Sequence, residues 1–175
     1  PRMDVKQNPL YENGDFAYLD THYYGGIKKY QWVALPLAIH GVVCKKDGRT
    51  IDISIGECEE DPVFCVSDLL IHLAGEQMEK KANKVIEGEN LDILFGSKKM
   101  TGKDKDAVKE TVLELLKNKY DIEEEDFISA ELEIVPAGKA REAGIDRSMI
   151  MSYGQDDRVC AYTSLVAMLA VDKVK

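Results

Sequence analysis

Asp156, Asp157 and Arg158 stand directly ahead of a segment, TSLVAMLAV, that is almost wholly apolar. A carboxylate at such a position can do two different things. It can cap the helix, accepting orphan backbone N–H groups and gaining from the positive end of the dipole. It can also turn both oxygens outward and bridge two cations about 3.5–4 Å apart, the arrangement of two-metal hydrolases. Arg158 and the second acid would then orient the bridge from behind. One bridging carboxylate does not make a metal site, since each zinc takes roughly three protein ligands besides water. The spacing alone leaves both readings open, with capping the simpler one.

The other candidate residues are sparse. His22, His40 and His72 are the only histidines, far apart in sequence, and neither a His-Glu-x-x-His helix nor a Cys/His zinc module can be built from them. His22 lies beside Tyr23, Tyr24 and the Gly25–Gly26 pair, which permits close backbone approach, so His22 and Tyr24 are candidates for touching a substrate or a neighbouring subunit. His72, within DLLIHLAG, reads as a core or interface histidine, and His40 as a solvent-exposed strand residue. The run Glu123, Glu124, Glu125 and Asp126 reads as a solvated turn. Cys44, Cys58, Cys65 and Cys160 show no Cys-x-x-Cys spacing and read as reduced, half-buried thiols. No phosphate-binding glycine loop, dinucleotide fingerprint or nucleophile elbow occurs.

These residues must be positioned by an α+β chain of 175 residues, enough for one domain with part of another. A formal charge of -9 repels phosphate backbones, which argues against nucleic acid as a partner. The sequence has neither an apolar run of about 18 residues nor a signal-peptide pattern, so it predicts a cytoplasmic protein without a membrane partner. PRMDVK is strand-like from its first residue with no initiator Met, which suggests a chain cut from something longer. QNPLYENGD reads as turns, and THYYGGIKKYQW as a loop or strand end. VALPLAIHGVVCKKDGRTIDISIGE reads as a β-hairpin turning at Asp47–Gly48, with Pro36 marking an edge strand or a bulge.

Ser67 is placed to cap an amphipathic helix running to about Ile86, with Leu69, Leu70, Leu73, Met78, Ala82 and Val85 on one face. A short strand at 91–95, a second amphipathic helix through Val108, Val112, Leu115 and Leu116 to about Tyr120, and a strand ending at Pro136 follow. GIDRSMIMSYG supplies one more strand. The last helix carries Val159, Tyr162, Leu165, Val166, Met168, Leu169 and Val171 around most of its circumference and calls for protein on all sides. The composition changes near Ser148, which places a domain boundary close to Tyr153. The fold expected is an antiparallel or mixed sheet with two amphipathic helices, followed by this apolar helix.

PRMDVKQNPLYENGD, THYYGGIKKYQW, DLLIHLAGEQMEKK, SAELEIVPAGKAREAG and YGQDDRVCAYTSL together resemble the bacterial branch of the aspartyl aminopeptidase family of di-zinc exopeptidases. The resemblance spans essentially the whole chain. It implies a catalytic α/β domain interrupted by an inserted domain that mediates dimerisation and lids the active site. By that pattern residues 1–8 are a scrap of the catalytic domain, 9–152 the inserted domain, and 153–175 the start of the second catalytic segment. Asp156 would be the carboxylate shared by two zinc ions, with Asp157 adjacent to it. The family's His-x-Asp ligand motif, its glutamate pair and its C-terminal zinc histidine have no counterpart in the chain. The resemblance therefore implies a peptide-hydrolysing aminopeptidase to which this chain gives one ligand and the walls of the chamber. It also implies a homo-oligomer, dimeric through the inserted domain and commonly a dodecamer. The alternative expectation is a non-catalytic, self-associating module with no metal site of its own.

Overall fold

The computed structural model describes residues 2–172, except for the side chain of Tyr24. It divides into two compact units with the boundary between Gly138 and Lys139. The first unit is organised by β1 (Arg2–Asn13) and β2 (Phe16–Tyr24), paired antiparallel over nearly their whole length. This corrects the reading of QNPLYENGD as turns. Asn8 takes a left-handed φ of 51°, and the register shifts between Val5 and Leu10, so Asn8 and the fully buried Pro9 form a bulge inside one long strand. Only Gly14 and Asp15 turn the chain.

β3 (Leu37–Cys44) and β4 (Thr50–Ile55) form the expected hairpin around Asp47–Gly48. Pro36 precedes β3 and lies in neither an edge strand nor a bulge, because β3 sits between β4 and a later strand. The proline carbonyl still serves the sheet's end by accepting from Ala137 N at 2.9 Å. β5 (Ile93–Gly96) and β6 (Ala130–Pro136) complete a six-stranded sheet of order β4-β3-β6-β1-β2-β5. Every named pairing in it is antiparallel, which narrows the antiparallel-or-mixed expectation. Gly41 in β3 has φ +147°, and a Cβ there would lie 1.9 Å from the Glu131 carbonyl oxygen, so only glycine fits against β6.

Alternation divides the sheet into two faces. Met3, Leu19, Leu37, Ile39, Val43 and Ile134 are buried on one. Two helices fall between β4 and β6: α1 (Gly75–Met78), a single turn, and α2 (Ala107–Tyr120), which contributes Ala107, Val108, Val112 and Leu116 to the core. The amphipathic reading of α2 thus agrees with its packing at Val108, Val112 and Leu116, whereas Leu115, read on the same stripe, is exposed, outside the face that packs. Its start is held in an unexpected way. Asp106 makes no side-chain cap, and Glu12 of β1 instead accepts from Val108 N at 2.8 Å and Lys109 N at 2.9 Å. A strand residue 96 positions away therefore satisfies two orphan donors of the helix. Glu12→Ala is expected to lower stability by about 1–2 kcal/mol in urea unfolding, whereas Asp106→Ala should cost less.

The amphipathic helix expected from Ser67 to about Ile86 is absent. Ile71–Leu73 form a 3-10 turn, α1 is four residues long, and Leu69, Leu70, Leu73 and Met78 are exposed. Helical spacing cannot sustain a helix whose apolar stripe packs on nothing, because tertiary packing supplies most helical stability. Only Ala74 and Ile86 of this segment are buried.

The second unit contains β7 (Arg141–Ala143) and β8 (Met149–Met151), paired antiparallel, and then α3 (Gln155–Leu169). The strand within GIDRSMIMSYG and the last helix were legible. The three-residue β7, with the sequence Arg-Glu-Ala, was not. Val159, Tyr162, Leu165, Val166, Met168 and Leu169 are all exposed, so α3 has the composition of an interior helix and, among the described residues, no cover.

Candidate metal centre

The head of α3 is built on Gly154, whose φ of +74° turns the chain out of β8. Gln155 Nε2 donates to Ile150 O at 3.2 Å and Arg158 Nη1 to Tyr153 O at 3.3 Å, so side chains on both sides of the acid pair are tied to the preceding turn. Asp156 interrupts the helix with ψ 115°, and the Asp156–Asp157 peptide is cis. No side chain caps this helix start, and both carboxylates are exposed. The capping explanation of the acids therefore finds no support in the geometry. What remains is a pair of solvent-facing carboxylates on a backbone that departs from helical form at Asp156 itself. Arg158 packs over Gly154, with its Cζ 3.5 Å from where a Cβ would be, and is directed to the turn carbonyl.

Asp156 is a hard oxygen donor and chemically suits a divalent cation. A full ligand set is another matter. No group of three or more His, Cys, Asp or Glu side chains arranged for a metal ion exists among the described residues. The residues of this chain thus fit one corner of a zinc site and do not fit a complete one.

The other candidates lie in the first unit. His22 is exposed on β2 and stacks on Tyr23 with centroids 6.0 Å apart, while the backbone of Tyr24 ends the strand opposite Arg2. His40 is half-buried and hydrogen-bonds Glu57 at 2.9 Å, which corrects its reading as simply solvent-exposed. His72 is exposed, which corrects the core alternative for it. The sheet register reveals a row that no sequence spacing shows: His40 opposes Glu133, Glu133 opposes Asp4, and Asp4 opposes His22. Arg2 Nε clamps the two acids, 2.7 Å from Asp4 and 3.0 Å from Glu133, which makes the centre of the row an ion-pair lattice. The acidic run also differs from a plain solvated turn, since Asp126 is buried. All four cysteines are free thiols, but only Cys65 is half-buried as expected, while Cys44, Cys58 and Cys160 are exposed.

One cavity of about 490 Å³ was missed from sequence. Tyr11 and Tyr18 stack at its wall with centroids 5.4 Å apart, and Tyr11 Oη donates to Asp92 Oδ2 at 2.5 Å. Burial holds the Asp92 carboxyl above the usual carboxylate range despite the bonds from Tyr11 and Thr21 N. Burial and then the Asp92 bond push the Tyr11 hydroxyl up in turn. The pair satisfies itself, so Asp92 is a fixed acceptor and not an open base.

Comparison with known proteins places the chain. The family model described as aminopeptidase I zinc metalloprotease (M18) matches residues 1–174. The crystal structure of aminopeptidase I from Clostridium acetobutylicum is 65% identical with a TM-score of 0.87, covering 99% of this chain and 38% of that one. The M18 aminopeptidase from Thermotoga maritima is 52% identical with a TM-score of 0.92 and the same coverages. The yeast mApe1 dodecamer, at 17% identity and TM-score 0.59 over 95% of this chain and 36% of that one, shares the fold. The chain spans 38% of the length of the curated relatives it matches. With residues 1–174 matched end to end, the chain belongs to the M18 family of aminopeptidase I zinc metalloproteases.

Proposed function

We propose that this chain is the lid and dimerisation part of a cytoplasmic zinc aminopeptidase that removes the N-terminal residue of peptides, together with the first helix of the segment that returns to the catalytic domain. Residues 1–8 and 153–175 belong to the catalytic domain, and residues 9–152 form the insertion. Asp156 would be the residue of this chain that holds zinc, with the other ligands supplied by polypeptide outside it. The observation that carries the reading is the head of α3, where exposed, uncapped carboxylates lead an apolar helix with no cover. A chain spanning 38% of its relatives supports the same division of labour.

Within it, the chain's own groups have limited tasks. Asp156 supplies a fixed carboxylate, and Arg158 and Gln155 hold the turn that presents it. Zinc would contribute Lewis-acid polarisation of the peptide carbonyl once the site is complete. His22 and Tyr24 are assigned to contact with substrate or a neighbouring subunit. Self-association of copies, as in the dodecamer that shares the fold, supplies the homo-oligomer.

The test compares the 175-residue chain with the full-length polypeptide. The full-length protein is expected to hydrolyse an aminoacyl-nitroanilide, and the chain alone to show background rates only. Turnover by the chain alone, or none by the full-length protein loaded with zinc, would overturn the proposal.

A further inference from the structure

Four lysines line one cleft of this acidic chain. A cleft of about 440 Å³ in the first unit is lined by Lys29, Lys80, Lys81, Lys84, Glu87 and Gly88, with Asn83 and Ile86. That volume falls within the range of small-molecule sites, about 300–1,000 Å³. Lys84 N donates to Lys81 O at 2.7 Å, closing a turn, and both residues line the cleft. The Lys29 ammonium, also in the lining, sits 5.7 Å from the centre of the Tyr23 ring. Gly88 packs so closely on that ring that a Cβ would fall 2.8 Å from Tyr23 Cε1. The only carboxylate of the lining, Glu87, is paired with Lys80 at 3.5 Å. Lys29, Lys81 and Lys84 have no carboxylate partner among the described residues.

Three uncompensated ammonium groups around one concavity repel one another, and a multivalent anion between them would relieve that repulsion. Lysine acts as a compact point charge that commonly binds phosphate, and no arginine lines the cleft. Screening at about 0.1 M salt confines the lysines' field to about 10 Å, and a cleft of about 440 Å³ admits a small ligand and not an extended chain. We infer that this cleft binds a small molecule bearing two or more phosphate charges.

The test is calorimetric titration of the intact protein with fructose 1,6-bisphosphate, a probe that chelates zinc weakly, at low ionic strength. Saturable binding is expected, weakened at least tenfold by the exposed double substitution Lys81→Glu/Lys84→Glu and also weakened by added salt. Tricarballylate, with three carboxylates, should bind at least tenfold more weakly than the bisphosphate. Absence of saturable binding, an affinity unchanged in the double variant, or tricarballylate matching the bisphosphate would each overturn the inference. Because the readout is binding, its failure is distinguishable from failure of the aminopeptidase reading.

Discussion

Asp156→Asn in the full-length enzyme is expected to reduce kcat/KM by about a thousandfold or more while leaving the fold intact. The magnitude follows from the role proposed for the side chain. A carboxylate shared by two cations contributes charge to both, and losing several kcal/mol of stabilisation at the reacting centre corresponds to three or more decades of rate. The conserved stability follows from the geometry. Asp156 is exposed and no side chain caps α3, so an isosteric amide disturbs no packing and removes no capping bond. Surface substitutions of that kind change stability by about 0.5 kcal/mol or less. Activity assays and urea unfolding on the same preparation separate the alternatives: a fall in stability with near-normal turnover would return the acid pair to a structural role.

The largest effect on stability is expected at Asp126. Lys45 Nζ lies 2.5 Å from Asp126 Oδ2, with side chains 10% and 8% exposed, and the same ammonium donates to Asp121 O at 2.6 Å. Asp126 also accepts from Glu123 N at 2.8 Å, so one carboxylate joins the β3–β4 hairpin to the turn ahead of β6. Asp126→Ala would leave the Lys45 ammonium, whose side chain is only 10% exposed, without its carboxylate partner, at a cost of roughly 3 kcal/mol. Replacing both partners by apolar residues should recover much of that loss. Burial pushes the Asp126 carboxyl up, but the Lys45 bond, the Glu123 N–H and the Lys45 charge together outweigh it, and the net shift is downward. A carboxyl held lower in the folded than in the unfolded state stabilises fully above the ordinary carboxylate range and loses that contribution as pH falls through its folded value. The gap between wild type and Asp126→Ala should therefore be widest near neutrality and narrow below about pH 4. Urea unfolding of both proteins across that range measures it, and a gap independent of pH would contradict the assignment.

How much of this was legible in the sequence depended on whether the signal was local. Asp47–Gly48 between alternating strands specified the β3–β4 hairpin because turn chemistry and side-chain period are both short-range. The α2 stripe of Val108, Val112 and Leu116 was readable because the sheet it packs against lies in the same chain. Leu69, Leu70, Leu73 and Met78 carry a comparable stripe, yet they fold irregularly and stay exposed. A periodic pattern records that a face wants cover and not whether the cover is present. Asn8 and Pro9 misled in the opposite sense, since residues that favour turns also build bulges, and pairing along β1 decided between the two.

The candidate site divides along the same line. Asp156 and Asp157 stood out through composition and through resemblance, and the extended backbone at Asp156 is a local feature that the sequence does not spell out. The row from His40 to His22 across four strands, the Tyr11–Asp92 pair and the Glu12 cap join residues far apart in sequence, and only the register of the sheet brings them together.

The claim that Asp156 holds the metal pair is tested most directly by zinc content. Full-length wild-type protein and its Asp156→Asn variant, dialysed against the same buffered free zinc, would be compared by inductively coupled plasma mass spectrometry. Wild type should retain about two zinc ions per chain and the variant clearly fewer, with a weaker apparent affinity for those that remain. Equal zinc content and equal affinity in the two proteins would contradict the account.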